Sequence, residues 1–161
     1  MRHVLFSMQP LPGTRHGMPV KVVQAFRLCD AEWKFRIHPR QKKDLDSISK
    51  YLNDTFGQTK RKTKQLAESK LKSTIEKCDV HVTLHSSVTI EAYYLKTPTV
   101  LVDEEGAEMY KNMFSKNVYY SPNPIKIARL IENVEWEKKE EPNEVESEKI
   151  IRRRINKLTG K

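Results

Sequence analysis

Two kinds of hydrophobic segment alternate along the chain. Short apolar runs predict strands at residues 4–7, 33–37, 80–84, 98–102 and 117–120. The run at 98–102 is almost continuously apolar, which is typical of a central strand covered on both faces. The run at 33–37 alternates between apolar and polar residues, so we predict a half-buried strand there.

Segments with apolar residues three or four positions apart separate these runs and predict helices. The predicted helices cover residues 20–28, 45–52, 66–77, 88–96, 108–115 and 125–133. Residues 55–64 are polar and basic, and we predict a mobile loop there. Strands that alternate with helices predict an α/β fold, with one Rossmann-like, doubly wound parallel sheet over residues 1–134.

Residues 135–161 differ in composition from the rest of the chain. They contain 8 basic and 7 acidic residues, and Ile151, Ile155 and Leu158 are spaced for one narrow helical stripe. We therefore predict a charged, helical C-terminal tail that docks on another surface.

Length and composition narrow the class of protein. A chain of 161 residues, 37% of them hydrophobic, fits one domain with a substantial core. No stretch approaches the roughly 18 apolar residues of a membrane helix. The apolar run at the N-terminus is too short for a signal peptide, so the predicted location is cytoplasmic. Cys29 and Cys78 have neither metal-site spacing nor a disulfide framework, and we predict buried thiols.

The positive charge is local. The chain has a net charge of +9, and residues 40–77 carry 11 basic against 5 acidic residues. This segment suits an anionic substrate, peripheral contact with the inner face of an anionic membrane, or nucleic acid, although a solvated lysine-rich helix face explains it equally well. Only Tyr51 and Phe56 are aromatic there, so specific nucleic-acid binding is not expected.

Three candidate clusters follow predicted strands, where ligands of open parallel sheets bind. The first is the loop after the first strand. Gly13 and Gly17 permit close backbone approach, and Thr14 and Arg15 offer a hydroxyl and a guanidinium for phosphate. The dinucleotide and P-loop fingerprints are absent, and an ordinary turn is the alternative.

The second cluster is His38-Pro39-Arg40. Pro39 keeps His38 extended, which directs the imidazole outward from the strand end. The imidazole can donate to a phosphate oxygen, and Arg40 adds a permanent positive charge. A surface histidine before a helix-starting proline is the alternative.

The third cluster is the segment from His85 to Glu91. Ser86, Ser87 and Thr89 lie where a strand gives way to a helix, a position that favours an anion. An ordinary serine N-cap is the alternative. With Ser87 as the cap, Glu91 falls one residue late for a capping box, which favours another role, such as binding ribose hydroxyls. Residues 103–105 are predicted to be a solvated acidic loop, so we predict no metal site.

The segments WKFRIHPR and CDVHVTLHSSVTIEAYYLKTPTVLVDEEG resemble the C-terminal, donor-binding domain of GT-B-fold glycosyltransferases. The resemblance covers residues 3–131. The most similar groups have His-Pro and Ser-Ser motifs: bacterial sialyltransferases, polysialyltransferases and transferases of capsule or teichoic-acid polymers. The segment EAYYLKTPTVLV is also similar to UDP-N-acetylglucosamine 2-epimerases. Those epimerases, however, have a glycine pair where Ser86 and Ser87 stand.

The resemblance implies a role for each cluster. His38 would contact the donor phosphate and stabilise the departing nucleotide, Ser86 and Ser87 would bind the same phosphate, and Glu91 would hold the ribose. The loop of Gly13, Thr14 and Arg15 would lie over the donor. No metal or other cofactor is implied.

The implied function is donor binding in sugar transfer, in bacterial surface polysaccharide synthesis. Such enzymes carry the acceptor site and the general base on an N-terminal domain. The resemblance therefore implies that a longer protein or a partner chain supplies this part, and that the chain alone is inactive. The alternatives are a UDP-sugar 2-epimerase domain and a basic, non-catalytic α/β module that binds nucleic acid.

Overall fold

The computed structural model of the chain describes residues 1–13, 16–114 and 117–133. The candidate residues Thr14 and Arg15 and the predicted tail at 135–161 lie outside the described residues. Within them the chain forms an α/β fold, as the sequence predicts.

Five strands form one fully parallel sheet with the order β2-β1-β3-β4-β5. The strands are β1 (Arg2–Ser7), β2 (Ala31–Arg36), β3 (Val80–Thr83), β4 (Thr99–Leu101) and β5 (Val118–Tyr120). The order reverses between β1 and β3, because β2 lies on one side of β1 and all later strands lie on the other. Ligands of such sheets bind beyond the carboxyl ends of the strands at this switch point.

Helices cover both faces of the sheet, which makes it doubly wound. The seven α-helices of the described residues are α1 (Val20–Leu28), α2 (Leu45–Phe56), α3 (Lys60–Glu68), α4 (Leu71–Glu76), α5 (Val88–Tyr94), α6 (Glu104–Met109) and α7 (Pro124–Asn133). Two 3-10 helices, Pro39–Asp44 and Lys111–Met113, complete the described elements. No helix in the described ranges combines the length and the apolar character needed to span a bilayer.

Successive side chains of each strand point to opposite faces of the sheet, so a separate hydrophobic core forms on each face. Phe6 of β1 packs with Val22 of α1 and Ile131 of α7 in the larger cluster. The neighbouring Leu5 points to the other face and packs with Ile75 of α4 and Ala92 of α5. Cys29 and Cys78 are both buried free thiols, as predicted.

The prediction of a mobile loop at residues 55–64 is wrong. Helix α2 continues to Phe56 and ends at Gly57, which adopts a left-handed conformation (φ 73°), and α3 begins at Lys60. Thr59 caps α3 by accepting a hydrogen bond from the Lys62 amide at 3.3 Å. The polar sequence of α3 hid this helix, because only Thr63 and Leu66 are buried in it.

Two predicted helix boundaries are also wrong. The segment 66–77 is divided, because α3 ends at Glu68 and α4 begins at Leu71. The helix predicted at 108–115 starts earlier, at Glu104, since the Asp103 carboxylate accepts a hydrogen bond from the Gly106 amide at 2.9 Å and caps α6.

Candidate functional site

The three candidate clusters lie side by side at the carboxyl edge of the sheet. His38 follows β2, the loop from Met8 follows β1, and His85 follows β3. Strands β2 and β3 both lie next to β1. Their carboxyl ends are therefore two strand spacings, or about 10 Å, apart. The described residues of the three clusters therefore lie at the edge where the strand order reverses, and a shared ligand site stays a prediction.

Gly17 fixes the path of the loop after β1. It has a positive φ of 75°, and a Cβ atom at this position would lie 1.8 Å from the main-chain oxygen of Gln9. Gly13 has a similar φ of 74°, but no atom of a described residue beyond its chain neighbours lies within 4 Å of the position of its Cβ. Close backbone approach therefore requires glycine at Gly17, whereas Gly13 is exposed at an open turn.

Two glutamines that the sequence analysis missed connect this loop to its neighbours. Gln9 accepts a hydrogen bond from the His85 amide at 3.1 Å. Gln41 donates to the His16 carbonyl at 3.0 Å and accepts from the His38 amide at 2.9 Å. The loop is thus joined to both the His-Pro segment and the His-Ser-Ser segment. No motif marks these glutamines in the sequence, since their roles depend on contacts between separate loops.

The hydrogen bonds around His38 determine which ring nitrogen carries the proton. His38 caps the 3-10 helix, and its Nδ1 accepts from the Arg40 amide at 3.1 Å. A neutral imidazole that accepts at Nδ1 carries its proton on Nε2. Burial and then the nearby charge of Arg40 lower the pKa of His38, which favours the neutral ring. The Nε2–H group is therefore a donor, and no described residue accepts from it.

The hydroxyls of the Ser-Ser segment have different surroundings. Ser86 is buried and its Oγ accepts from the Val88 amide at 3.2 Å, while its carbonyl accepts from Tyr110 at 3.0 Å. Ser87 occupies the N-cap position of α5 and is exposed, but its side chain makes no capping hydrogen bond. Thr89 is fully buried, and no described group is a partner for its hydroxyl. Only Ser87 presents an accessible hydroxyl, and phosphate binding by this segment stays a prediction.

Glu91 lies near Arg36, which the sequence analysis did not single out. Burial raises the pKa of Glu91, and the positive charge of Arg36 opposes this effect. Arg36, at the end of β2, donates to the carbonyls of Leu66 and Ser69 and so joins β2 to the end of α3. Burial lowers the pKa of Arg36, and the Glu91 carboxylate opposes that change. No described residue donates a hydrogen bond to the Glu91 carboxylate, and ribose binding by it stays a prediction.

The segment 103–105 differs from the solvated loop that we predicted, because two of its carboxylates lie close to His85. Asp103 caps α6 and also contacts His85, with 3.0 Å between Oδ2 and Nδ1. An oxygen of Glu105 lies 3.7 Å from the same nitrogen. One ligand-type atom of each of these three residues lies within 4.8 Å of the others, a set that suits a divalent cation. A hydrogen-bonded His–Asp pair explains the same geometry, and the absence of a metal requirement stays a prediction.

A shallow groove of about 330 Å³ lies between the loop after β1 and the helices that follow His38. The loop after β1 forms one wall, and Gln41, Asp44 and Ile48 form the other. No family model, curated protein or solved structure matches the chain. Any functional assignment therefore depends on the chemistry of the carboxyl edge.

Proposed function

We propose that the chain binds a nucleotide at the carboxyl edge of its sheet, and that this nucleotide is the activated donor of a glycosyltransferase. The observation that carries the proposal is the Nε2–H of His38, a donor without a described acceptor beside the β1/β3 switch point. A phosphate oxygen is the acceptor that suits this donor, because a hydrogen bond to a charged acceptor is stronger than one between neutral groups.

The charge around His38 supports an anionic ligand. Arg40, Lys42 and Lys43 lie on the 3-10 helix that His38 caps, and all three are exposed. None of them forms an ion pair with a residue that the structure describes. Their positive charge therefore remains available to attract the phosphates of a nucleotide.

The sugar-donor part of the proposal depends on the resemblance of the His-Pro and Ser-Ser segments to GT-B-fold transferases. In such a reaction the bond between the sugar and the nucleotide phosphate breaks, and His38 stabilises the phosphate as its negative charge increases. The acceptor hydroxyl loses its proton to a base outside this chain and attacks the sugar carbon. The chain alone therefore binds the donor without transferring its sugar.

Calorimetric titration with CMP, CDP, UMP and UDP tests nucleotide binding. We expect the wild type to bind at least one of them and His38→Ala to bind it roughly tenfold more weakly. His3→Ala is the matched control, because His3 lies at the other end of β1, where its Nδ1 is 3.1 Å from the Glu32 carboxylate. Equal affinities in both variants, or no nucleotide binding by the wild type, would contradict the proposal.

A competition experiment tests the sugar-donor part separately. Sugar nucleotides with the preferred base should displace that nucleotide from the wild type at similar concentrations. If free nucleotides bind and sugar nucleotides do not displace them, nucleotide binding stands and the transferase assignment does not. Sugar transfer by the purified chain alone would show that it contains the base that we assign to another domain.

A further inference from the structure

Charge is divided between the two ends of the sheet. Strands β2 and β5 are the edge strands, and four strand spacings place them about 19 Å apart. The β2 end carries the 3-10 helix and α3, which together have seven basic and two acidic residues. The β5 end adjoins α6, where Glu104, Glu105 and Glu108 are exposed. The domain is therefore polarised along the sheet, a property that emerges only when the strand order is known.

The basic groups at the β2 end form one surface. We define the basic surface as Arg40, Lys42, Lys43 and Arg61, which are exposed and make no ion pair with any described residue. An ion pair of 2.7 Å between Lys60 and Asp46 holds the start of α3 against the first turn of α2. The 3-10 helix ends where α2 begins, so the cations of α3 and of the 3-10 helix lie on the same side of the domain.

The aromatic residues of this region do not provide a platform for nucleic-acid bases. Tyr51 is 9% exposed. Phe56 packs against Phe35 with 4.1 Å between the ring centroids. Recognition of single-stranded nucleic acid depends on bases that stack on accessible aromatic rings. The basic surface therefore attracts anions through charge alone, which suits the headgroups of an anionic bilayer.

We propose that the basic surface docks the β2 end of the domain on an anionic membrane. The acidic α6 faces away, because the same surface potential that attracts the lysines and arginines repels Glu104, Glu105 and Glu108. The domain then has one preferred orientation on the bilayer. The attraction involves exposed charges, so salt weakens it. Arg40, Lys42 and Lys43 also lie beside the proposed nucleotide site, but membrane docking does not require nucleotide binding, and vesicle binding is measured without nucleotide.

Vesicle co-sedimentation of the full chain tests the proposal, with phosphatidylcholine alone and with about 30% phosphatidylglycerol added. A triple variant, Lys42→Gln, Lys43→Gln and Arg61→Gln, removes three charges from the basic surface. The matched control is Arg27→Gln, Lys126→Gln and Arg129→Gln. It has the same net charge and changes exposed residues of α1 and α7 instead.

We expect binding to the anionic vesicles only, lost at about 0.5 M salt. The variant of the basic surface should bind at least about tenfold more weakly, and the control within about twofold of the wild type. Equal weakening of both variants would show that net charge alone is responsible and would overturn the proposal. Absence of vesicle binding, or tighter binding to single-stranded or duplex DNA at the same salt, would also overturn it.

Discussion

The side-chain amide of Gln41 donates a hydrogen bond of 3.0 Å to the main-chain oxygen of His16. The same amide accepts from the His38 main chain at 2.9 Å, and Gln41 is only 4% exposed. One side chain thus holds the loop after β1 against the residue that we propose to bind phosphate. Movement of this loop and the position of His38 are therefore coupled.

Replacement of Gln41 tests this coupling. Gln41→Ala leaves the His38 amide and the His16 carbonyl without their partner, and we expect a loss of about 2–3 kcal/mol in the free energy of unfolding. Nucleotide binding should weaken as well, because the loop and His38 are no longer held together. Urea denaturation and calorimetry measure the two effects. Gln24→Ala, at an exposed position of α1, is the control and should change stability by less than about 0.5 kcal/mol.

The two glycines of the loop after β1 provide a matched pair of substitutions. Gly13→Ala introduces only the strain of a positive φ, and we expect it to cost about 1 kcal/mol. Gly17→Ala adds a Cβ atom 1.8 Å from the Gln9 carbonyl, so the loop must move. We expect a loss of at least about 3 kcal/mol from chemical denaturation. Equal losses of unfolding free energy in the two variants would show that the loop relieves the close contact between the new Cβ atom and Gln9 at little cost.

The sequence predicted the strands and the edge of the sheet at which the clusters meet, for a physical reason. Buried strands such as residues 98–102 have a strong apolar signal, and parallel strands must present their carboxyl ends at one edge. The polar connections could not be predicted in this way. Gln9, Gln41 and Arg36 bond to main-chain atoms of distant segments, and such partners leave no periodic pattern in the sequence. Helix α3 was missed because tertiary contacts, and not an apolar stripe, hold it.

Gln58 illustrates such a contact and gives a third prediction. Its side chain bonds both the amide and the carbonyl of Phe35 at 2.8 Å, in the manner of a further strand at the edge of β2. Gln58→Ala leaves two main-chain groups of Phe35 unsatisfied, so we expect a loss of about 2–4 kcal/mol in urea denaturation. Gln65→Ala, exposed on α3, is the control. Similar stability of both variants would contradict a structural role for Gln58.

His81 predicts a dependence of stability on acid. It is fully buried between the hydroxyls of Ser7 and Thr99, and burial lowers its pKa to about 3. In the unfolded chain the ring takes up a proton below a pH of about 6.5. The unfolded state then binds more protons than the native state, so stability falls as the pH decreases from 7 towards 3.

We expect the protonation of His81 in the unfolded chain to lower the free energy of unfolding by about 2 kcal/mol at pH 5 relative to pH 7. Urea denaturation of wild type and His81→Gln at both pH values isolates it, because the variant lacks this titration. NMR of the wild type checks it without a mutation, since the His81 ring should not titrate between pH 7 and pH 4. A ring that titrates near pH 6 in the native state would contradict the prediction.

Glu91 gives the last prediction, which concerns the ribose. The half-buried carboxylate has no described hydrogen-bond donor, so we expect it to accept bonds from ribose hydroxyls. Wild type should bind a nucleotide about tenfold more tightly than its 2′,3′-dideoxy analogue, and Glu91→Ala should bind the two about equally. Glu104→Ala, an exposed carboxylate that lies on α6, is the control and should keep the preference. The ratio of affinities, and not affinity alone, is the measurement, because loss of the charge near Arg36 will also alter the fold locally.

The pH dependence of that ratio distinguishes the carboxylate from other acceptors. Burial raises the pKa of Glu91 above its usual range, so this group gains its proton before exposed carboxylates do as the pH decreases. A protonated Glu91 accepts hydrogen bonds more weakly than the carboxylate. The preference for ribose should therefore be largest at neutral pH and should decrease on acidification in the wild type. In Glu91→Ala the ratio should stay near one throughout. A ribose preference that persists in this variant, with the same pH profile, would show that a different residue binds the ribose hydroxyls.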